Sequence, residues 1–346
     1  MNGLELPERE LVACIRTAYG LKVASVQALA LGADSYARVF QVVTEDGSPS
    51  HFLKVRKTAA GEASVRIPHF LHAQGIRQVL VAIPTQRGEL SFAFQGHYLI
   101  LYPFVPGRVA MEVGLTAQQW AELGAILKAI HSVRLPDHLH QLLEREAYSP
   151  EFRMRAAGYL RRALAGVYDH RAGRGLAELL RSRKCAIEHM IDRAEELGGA
   201  LRRGSERPLV VCHADLHKWN IQVDAQGELL IVDWDSLKLA PKECDLMFIG
   251  GDIGGSTDDV AEEASFYRGY GDTPVDPVAL AYYRYERILT DVVEFSKQVW
   301  EDPGITKEAC DRIVSLVASN FLPGNALESA RRADARLRDS LRSSRV

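Results

Sequence analysis

The chain has 346 residues, 47% hydrophobic and 25% charged, the balance of an ordinary soluble globular protein but too long for a single average core. Its 42 basic and 45 acidic residues leave a net charge of −3, which excludes whole-surface electrostatic capture of nucleic acid or anionic membrane. Five scattered cysteines form no CxxC pair, which excludes a zinc-ribbon or thioredoxin-type motif and fits a reducing compartment. The first residues lack a basic segment followed by an apolar one, and the longest apolar runs, such as Tyr98–Val105, are strand-sized, so a cytoplasmic location is expected.

Taken in order, Leu6-Pro7-Glu8-Arg9-Glu10 puts proline and acids in the first turn of a helix running to Gly20. Val23–Leu29, Tyr36–Val43, His51–Val55, Gln78–Ile83, Glu89–Phe94 and His97–Tyr102 read as strands, with Glu45-Asp46-Gly47 and Gln86-Arg87-Gly88 as turns. A helix over about Glu62 to Gln74 interrupts them, and Pro68 is expected to kink or split it. From Thr116 the period changes: Thr116 and Gln119 form a capping box, and Trp120, Leu123, Leu127 and Ile130 share one helical face. The stretch from about Pro150 to Leu201 is helical, a β interlude covers Leu209–Leu239, and helix resumes after Val260. The arginine-rich tail from Ala326 reads as a surface helix rather than a nucleic-acid contact.

This order predicts an α+β, two-lobed fold with a β-rich N-terminal lobe over residues 1–102, a hinge at 103–107 and a mostly helical C-terminal lobe over 108–346.

The densest chemical signal is His213-Ala214-Asp215-Leu216-His217-Lys218-Trp219-Asn220, delivered by an apolar strand, followed by a turn and a strand ending in Asp233-Trp234-Asp235. Phosphoryl transfer is mostly positioning and charge neutralisation. Asp215 fits the base that orients and deprotonates an acceptor hydroxyl. Asn220 and Asp233 offer the hard oxygens that Mg2+ prefers, with substrate phosphate completing its shell. The D-x4-N-x12-D spacing is that of a kinase catalytic loop followed by its metal-binding aspartate. Ala214 stands where protein kinases carry arginine, and no Asp-Phe-Gly follows, which argues against regulation through an activation loop. A turn-capping hairpin without chemistry is the bland alternative.

Phe52-Leu53-Lys54-Val55 is a strand with one lysine among apolar residues, placed to neutralise nucleotide phosphates, and Glu62 is the leading partner for it. Leu31–Ala37, including Asp34, lies where a phosphate-covering loop belongs but has one glycine and is a poor match. No G-x4-GK-[ST] sequence occurs. Pro103, Phe104 and Val105 form a stiff connector whose backbone can meet an adenine edge.

The two motifs around Asp215 and Asp233 resemble those of the aminoglycoside phosphotransferase family, which has a eukaryotic-kinase-like fold. Leu239–Gly251, Phe266–Gly271 and Tyr282–Ile288 are similar to its spectinomycin-type branch, and the resemblance spans Leu6 to about Phe295. It implies Asp215 as base, Asn220 and Asp233 on Mg2+, Lys54 with Glu62 orienting the phosphates of ATP or GTP, and Pro103–Val105 holding adenine. Asp245 is implied as a brace for the Asp215 loop. Inactivation of a cationic aminocyclitol such as spectinomycin is the implied activity, with an amino alcohol or sugar as the alternative acceptor. Asp34, Glu286, Asp291 and Glu294 are candidate carboxylates for that cation, the last three on one helix. A metal-dependent hydrolase using His213, Asp215, His217 and Asp233 is disfavoured because further histidines are missing and Lys54 has no task in it. A nucleotide-binding adaptor without turnover is disfavoured because every expected catalytic position is filled.

Overall fold

In the computed structural model, the structure describes residues 6–29, 37–46, 49–56, 61–166, 173–250, 260–302 and 304–343. The chain divides into a sheet-rich unit and a helical unit, each with its own core. Sheet-rich and helical parts are those of the α+β, kinase-like fold the sequence predicts. The sheet-rich unit runs through Gly114 and also takes up Val133–Glu144 and Trp219–Leu237. No helix among the described residues is long and apolar enough to cross a membrane.

Ten strands occur among the described residues: β1 Val23–Leu29, β2 Ala37–Thr44, β3 Pro49–Arg56, β4 Phe92–Phe94, β5 His97–Pro103, β6 Gly107–Val109, β7 Val210–Cys212, β8 Ile221–Asp224, β9 Leu229–Ile231 and β10 Lys238–Ala240. The first five form one sheet in the order β1-β2-β3-β5-β4, with antiparallel pairing throughout. Side chains alternate between faces along a strand. Leu53 and Val55 of β3, with Leu99 and Leu101 of β5, therefore share one face and pack with Leu11, Cys14 and Ile15 of the helix Glu8–Tyr19. Each fully buried side chain of this kind contributes about 1.5–3 kcal/mol. The same alternation sends Lys54 to the opposite face, where its register partner Ile100 packs with Val65 of the helix Glu62–Ala73, beside Tyr102. That helix is continuous from Glu62 to Ala73 with Pro68 inside it and buried, so the proline does not split it.

Gln78–Ile83 differs from expectation. It is not a strand; it makes one parallel bridge, Val79 to Ile231. Two bonds make that bridge, from Leu80 to the Ile231 carbonyl and from Ile231 to that of Gln78, and Ile83 donates separately to that of Leu101. An apolar run satisfied in this way has the composition of a strand without a ladder. The Glu89–Phe94 strand is shorter than expected, beginning at Phe92.

In the helical unit, the capping box forms as the spacing predicts. Gln119 N–H donates to the Thr116 hydroxyl at 3.2 Å, and Thr116 N–H donates to the Gln119 side-chain oxygen at 2.9 Å. Trp120, Leu123, Leu127 and Ile130 of the helix Ala117–Ser132 are all buried. The helix Pro277–Glu301 starts where Asp276 accepts from the amides of Val278 and Ala279 and Pro277 supplies a preset first turn.

Candidate active site

The phosphate and metal residues of the sequence reading lie within the sheet-rich unit. β8 and β9 pair antiparallel with Ile221 opposite Ile231, and Val232 N–H donates to the Asn220 carbonyl at 3.0 Å, one residue from Asp233. The hairpin thus sets Asn220 and Asp233 at adjacent ends of two paired strands. Asp233 has φ 61° and ψ 67°, a left-handed conformation that aspartate adopts far more readily than most residues. It caps the 3-10 turn Trp234–Ser236, and Trp234 anchors that turn by donating its indole N–H to the Ile231 carbonyl at 3.1 Å.

Lys54 Nζ lies 2.9 Å from Asp233 Oδ1 and 2.7 Å from Asp235 Oδ2. Burial works against the ammonium, but the two carboxylates outweigh it and hold its pKa above the ordinary lysine value. Tyr102, beside it, is pushed up to about 12, chiefly by burial, with Lys54 opposing. Arg56, two residues along β3 and so on the same face, also pairs with Asp235. The expected Lys54–Glu62 pair does not form. Glu62 sits exposed in the first turn of its helix, where an acid is favoured, and Arg66 one turn on takes its carboxylate at 2.9 Å. Pro103 ends β5, and partly buried Phe104 and Val105 lead toward β6. Asp34 lies outside the described residues.

Asp215 lies in the helical unit, in the loop after β7. Wholly buried Asp245 shapes that loop: its Oδ1 accepts from Ala214 N–H at 2.7 Å, and its Oδ2 from His213 N–H at 3.0 Å. His131 contacts the same Oδ2 through Nε2 at 3.0 Å, and its Nδ1 meets the Tyr270 hydroxyl at 2.8 Å. Ala214 has φ 64°, which costs an alanine about 1–2 kcal/mol, and the two charge-assisted bonds from Asp245 offset that strain. Asp245→Ala strands two buried amides; we expect it to destabilise the protein by about 3 kcal/mol or more in denaturant unfolding. A loss under 1 kcal/mol would refute the bracing role.

Asp215 Oδ1 accepts from Arg287 Nη1 at 2.5 Å and lies 3.4 Å from His217 Nε2. Burial lowers the His217 pKa, with Asp215 opposing. Of the acids read as candidate acceptor contacts, Glu286 pairs with buried Arg153 at 2.8 Å, Asp291 with Arg287 at 3.0 Å, and Glu294 with Arg155 at 3.9 Å. Burial raises the pKa of Glu286 and of Asp291, each opposed by its arginine. All three share a helix as expected, but each is already engaged by an arginine of the chain itself.

Sequence reasoning missed Asp235, Arg56 and Arg287. The alternation along β3 was the available signal for Arg56; nothing local pointed to Arg287, which is 72 residues from Asp215.

Within the sheet-rich unit a sheet-borne lysine meets the aspartate after β9, and within the helical unit another aspartate stands on a braced loop after β7. The chain belongs to the phosphotransferase enzyme family (APH), whose model matches residues 27–283. It is similar to a solved structure of spectinomycin phosphotransferase APH(9)-Ia in complex with ADP and spectinomycin, at 28% identity and a TM-score of 0.85, covering 95% of this chain and 99% of that one. It shares its fold with amicoumacin kinase in complex with AMP-PNP, Ca2+ and Ami, at 17% identity and TM-score 0.59, over 92% of this chain and 95% of that one. It shares it also with choline kinase LicA from Streptococcus pneumoniae, at 17% identity and TM-score 0.53, over 90% and 98%. No curated protein matches the sequence significantly.

Proposed function

We propose that this phosphotransferase moves the γ-phosphate of ATP or GTP onto a hydroxyl of an aminoglycoside or aminocyclitol antibiotic, spectinomycin foremost, and so inactivates it. The observation that carries this reading is the near-complete mutual coverage with spectinomycin phosphotransferase at a TM-score of 0.85. Asp215 accepts the hydroxyl proton as the acceptor oxygen bonds to the γ-phosphorus and the bond to the β–γ bridging oxygen breaks, releasing the nucleoside diphosphate. Lys54 turns its ammonium to the phosphates, and the backbone of Pro103, Phe104 and Val105 holds the base.

Asn220 and Asp233 suit a magnesium ion: one amide and one carboxylate, both hard oxygen donors, at adjacent strand ends, with Asp233 open to solvent. Such an ion, when bound, neutralises charge on the transferring phosphate. Asp34 and, by releasing Arg153 or Arg155, Glu286 or Glu294 contact a cationic acceptor, while Asp291 stays on Arg287.

An amino alcohol is the second reading, supported by the fold shared with choline kinase. Coupled nucleoside-diphosphate release with spectinomycin, other aminoglycosides, choline, ethanolamine and sugars separates the two. We expect spectinomycin to give the highest kcat/KM. A higher value for choline or ethanolamine would transfer the assignment to amino alcohols and leave the phosphotransferase class intact.

A further inference from the structure

Asp215 stands on a loop, and Asp245 fixes the backbone of that loop only as far as His213 and Ala214. Arg287, from the middle of the helix Pro277–Glu301, reaches the Asp215 carboxylate, which also lies 3.4 Å from His217 Nε2. Its guanidinium uses two nitrogens on two carboxylates: Nη1 on Asp215 Oδ1 at 2.5 Å and Nη2 on Asp291 Oδ1 at 3.0 Å. A planar fork held at both prongs cannot rotate, and it cannot lose its charge at any ordinary pH. Asp291 is fixed in turn: it is buried, and its other oxygen accepts from Asn320 Nδ2 at 3.1 Å. The guanidinium also lies 5.8 Å from the Phe248 ring centre. Buried Arg284 ties down the backbone on either side of Phe248 by donating to the carbonyls of Met247 and Ile249. Arg287 Nε is sealed from water and has no hydrogen-bond partner among the described residues, so the guanidinium is held by its Nη atoms rather than along its whole edge.

We propose that Arg287 is a positioning residue for phosphoryl transfer, fixing the rotamer in which Asp215 meets the acceptor hydroxyl through the series Asn320–Asp291–Arg287–Asp215. The proposal rests on the reading of Asp215 as the base. A rigid fork differs here from a simple counter-ion because it dictates direction as well as charge. Lysine at this position keeps the charge but has no fork to span two carboxylates.

The test uses the full-length protein and Arg287→Gln, Arg287→Lys and Asp215→Asn. Crystal structures of wild type and Arg287→Gln need no acceptor. We expect the Asp215 side chain to leave its wild-type rotamer in the variant while His213 and Ala214 stay on Asp245; an unmoved Asp215 carboxylate overturns the proposal. Kinetics are read with whichever compound of the acceptor panel wild type phosphorylates. Arg287→Gln is expected to lower kcat about tenfold or more with the KM for nucleotide within about twofold, and Arg287→Lys to fall between the two. A kcat within twofold of wild type in Arg287→Gln overturns it, as does an Arg287→Lys variant no better than Arg287→Gln. Should Arg287→Gln fail to fold, Arg287→Lys carries both readouts, with an unmoved Asp215 and unchanged kcat as the overturning result. A wild type inactive on the whole panel refutes the acceptor assignment, and the crystallographic comparison still decides the role of Arg287.

Discussion

Asp215→Asn is expected to lower kcat by about 10³-fold, within the range measured for loss of a general base, while nucleotide affinity stays within about twofold. Asparagine preserves size, and its side-chain oxygen still accepts from Arg287 Nη1, so the arrangement of Arg287 and Asp291 survives. Only the charge that takes the hydroxyl proton is removed. Because Asp245, not Asp215, anchors the loop backbone, the variant should unfold within about 1 kcal/mol of wild type. Steady-state kinetics and calorimetric titration with Mg-ATP check the two halves of this expectation. A kcat within tenfold of wild type would remove Asp215 from the role of base.

Asp233→Asn should act on the other half of the chemistry. Lys54 keeps Asp235 as a partner at 2.7 Å, and Asp233 is about half exposed, so little stability is at stake. Asparagine tolerates the left-handed backbone at this position as aspartate does, whereas alanine would add about 1–2 kcal/mol of strain and blur the result. The loss is the anionic oxygen offered to the metal. Magnesium-dependent nucleotide affinity should fall about 100-fold, and kcat by about 10²–10³-fold, as for other losses of transition-state charge stabilisation. Titrations with ATP in the presence and absence of Mg2+ measure it; a variant that retains the full magnesium effect would take Asp233 out of metal binding.

The local pattern carried much of this molecule. Period-two alternation in Phe52-Leu53-Lys54-Val55 placed Lys54 on the face away from the Leu53–Leu101 core, and Thr116 and Gln119 cap their helix as the spacing requires. The strand–loop–hairpin around Asp215, Asn220 and Asp233 was legible because apolar runs and turn residues bracket it closely. What stayed hidden depends on partners distant in sequence. Gln78–Ile83 has a strand's residues, yet its hydrogen bonds go to Ile231 and Leu101 in a pattern no ladder supports. Glu62 was chosen as the partner of Lys54 by chain order, but Asp233 and Asp235 reach that ammonium from 179 and 181 residues away. The acids of the helix Pro277–Glu301 looked available to a cation because their arginines come from Arg153 and Arg155 on another helix and from Arg287 on their own. The Arg287–Asp291 pair was readable at i, i+4; the reach of Arg287 to Asp215 was not.

The central claim, transfer of a phosphoryl group from nucleotide to a small-molecule hydroxyl through Asp215, is tested most directly by phosphorus-31 NMR of wild type and Asp215→Asn incubated with Mg-ATP and spectinomycin. The account predicts a phosphomonoester signal on the antibiotic that grows in step with ADP for wild type and is almost absent for the variant. ADP appearing with inorganic phosphate alone, or a phosphomonoester formed equally fast by Asp215→Asn, would contradict it.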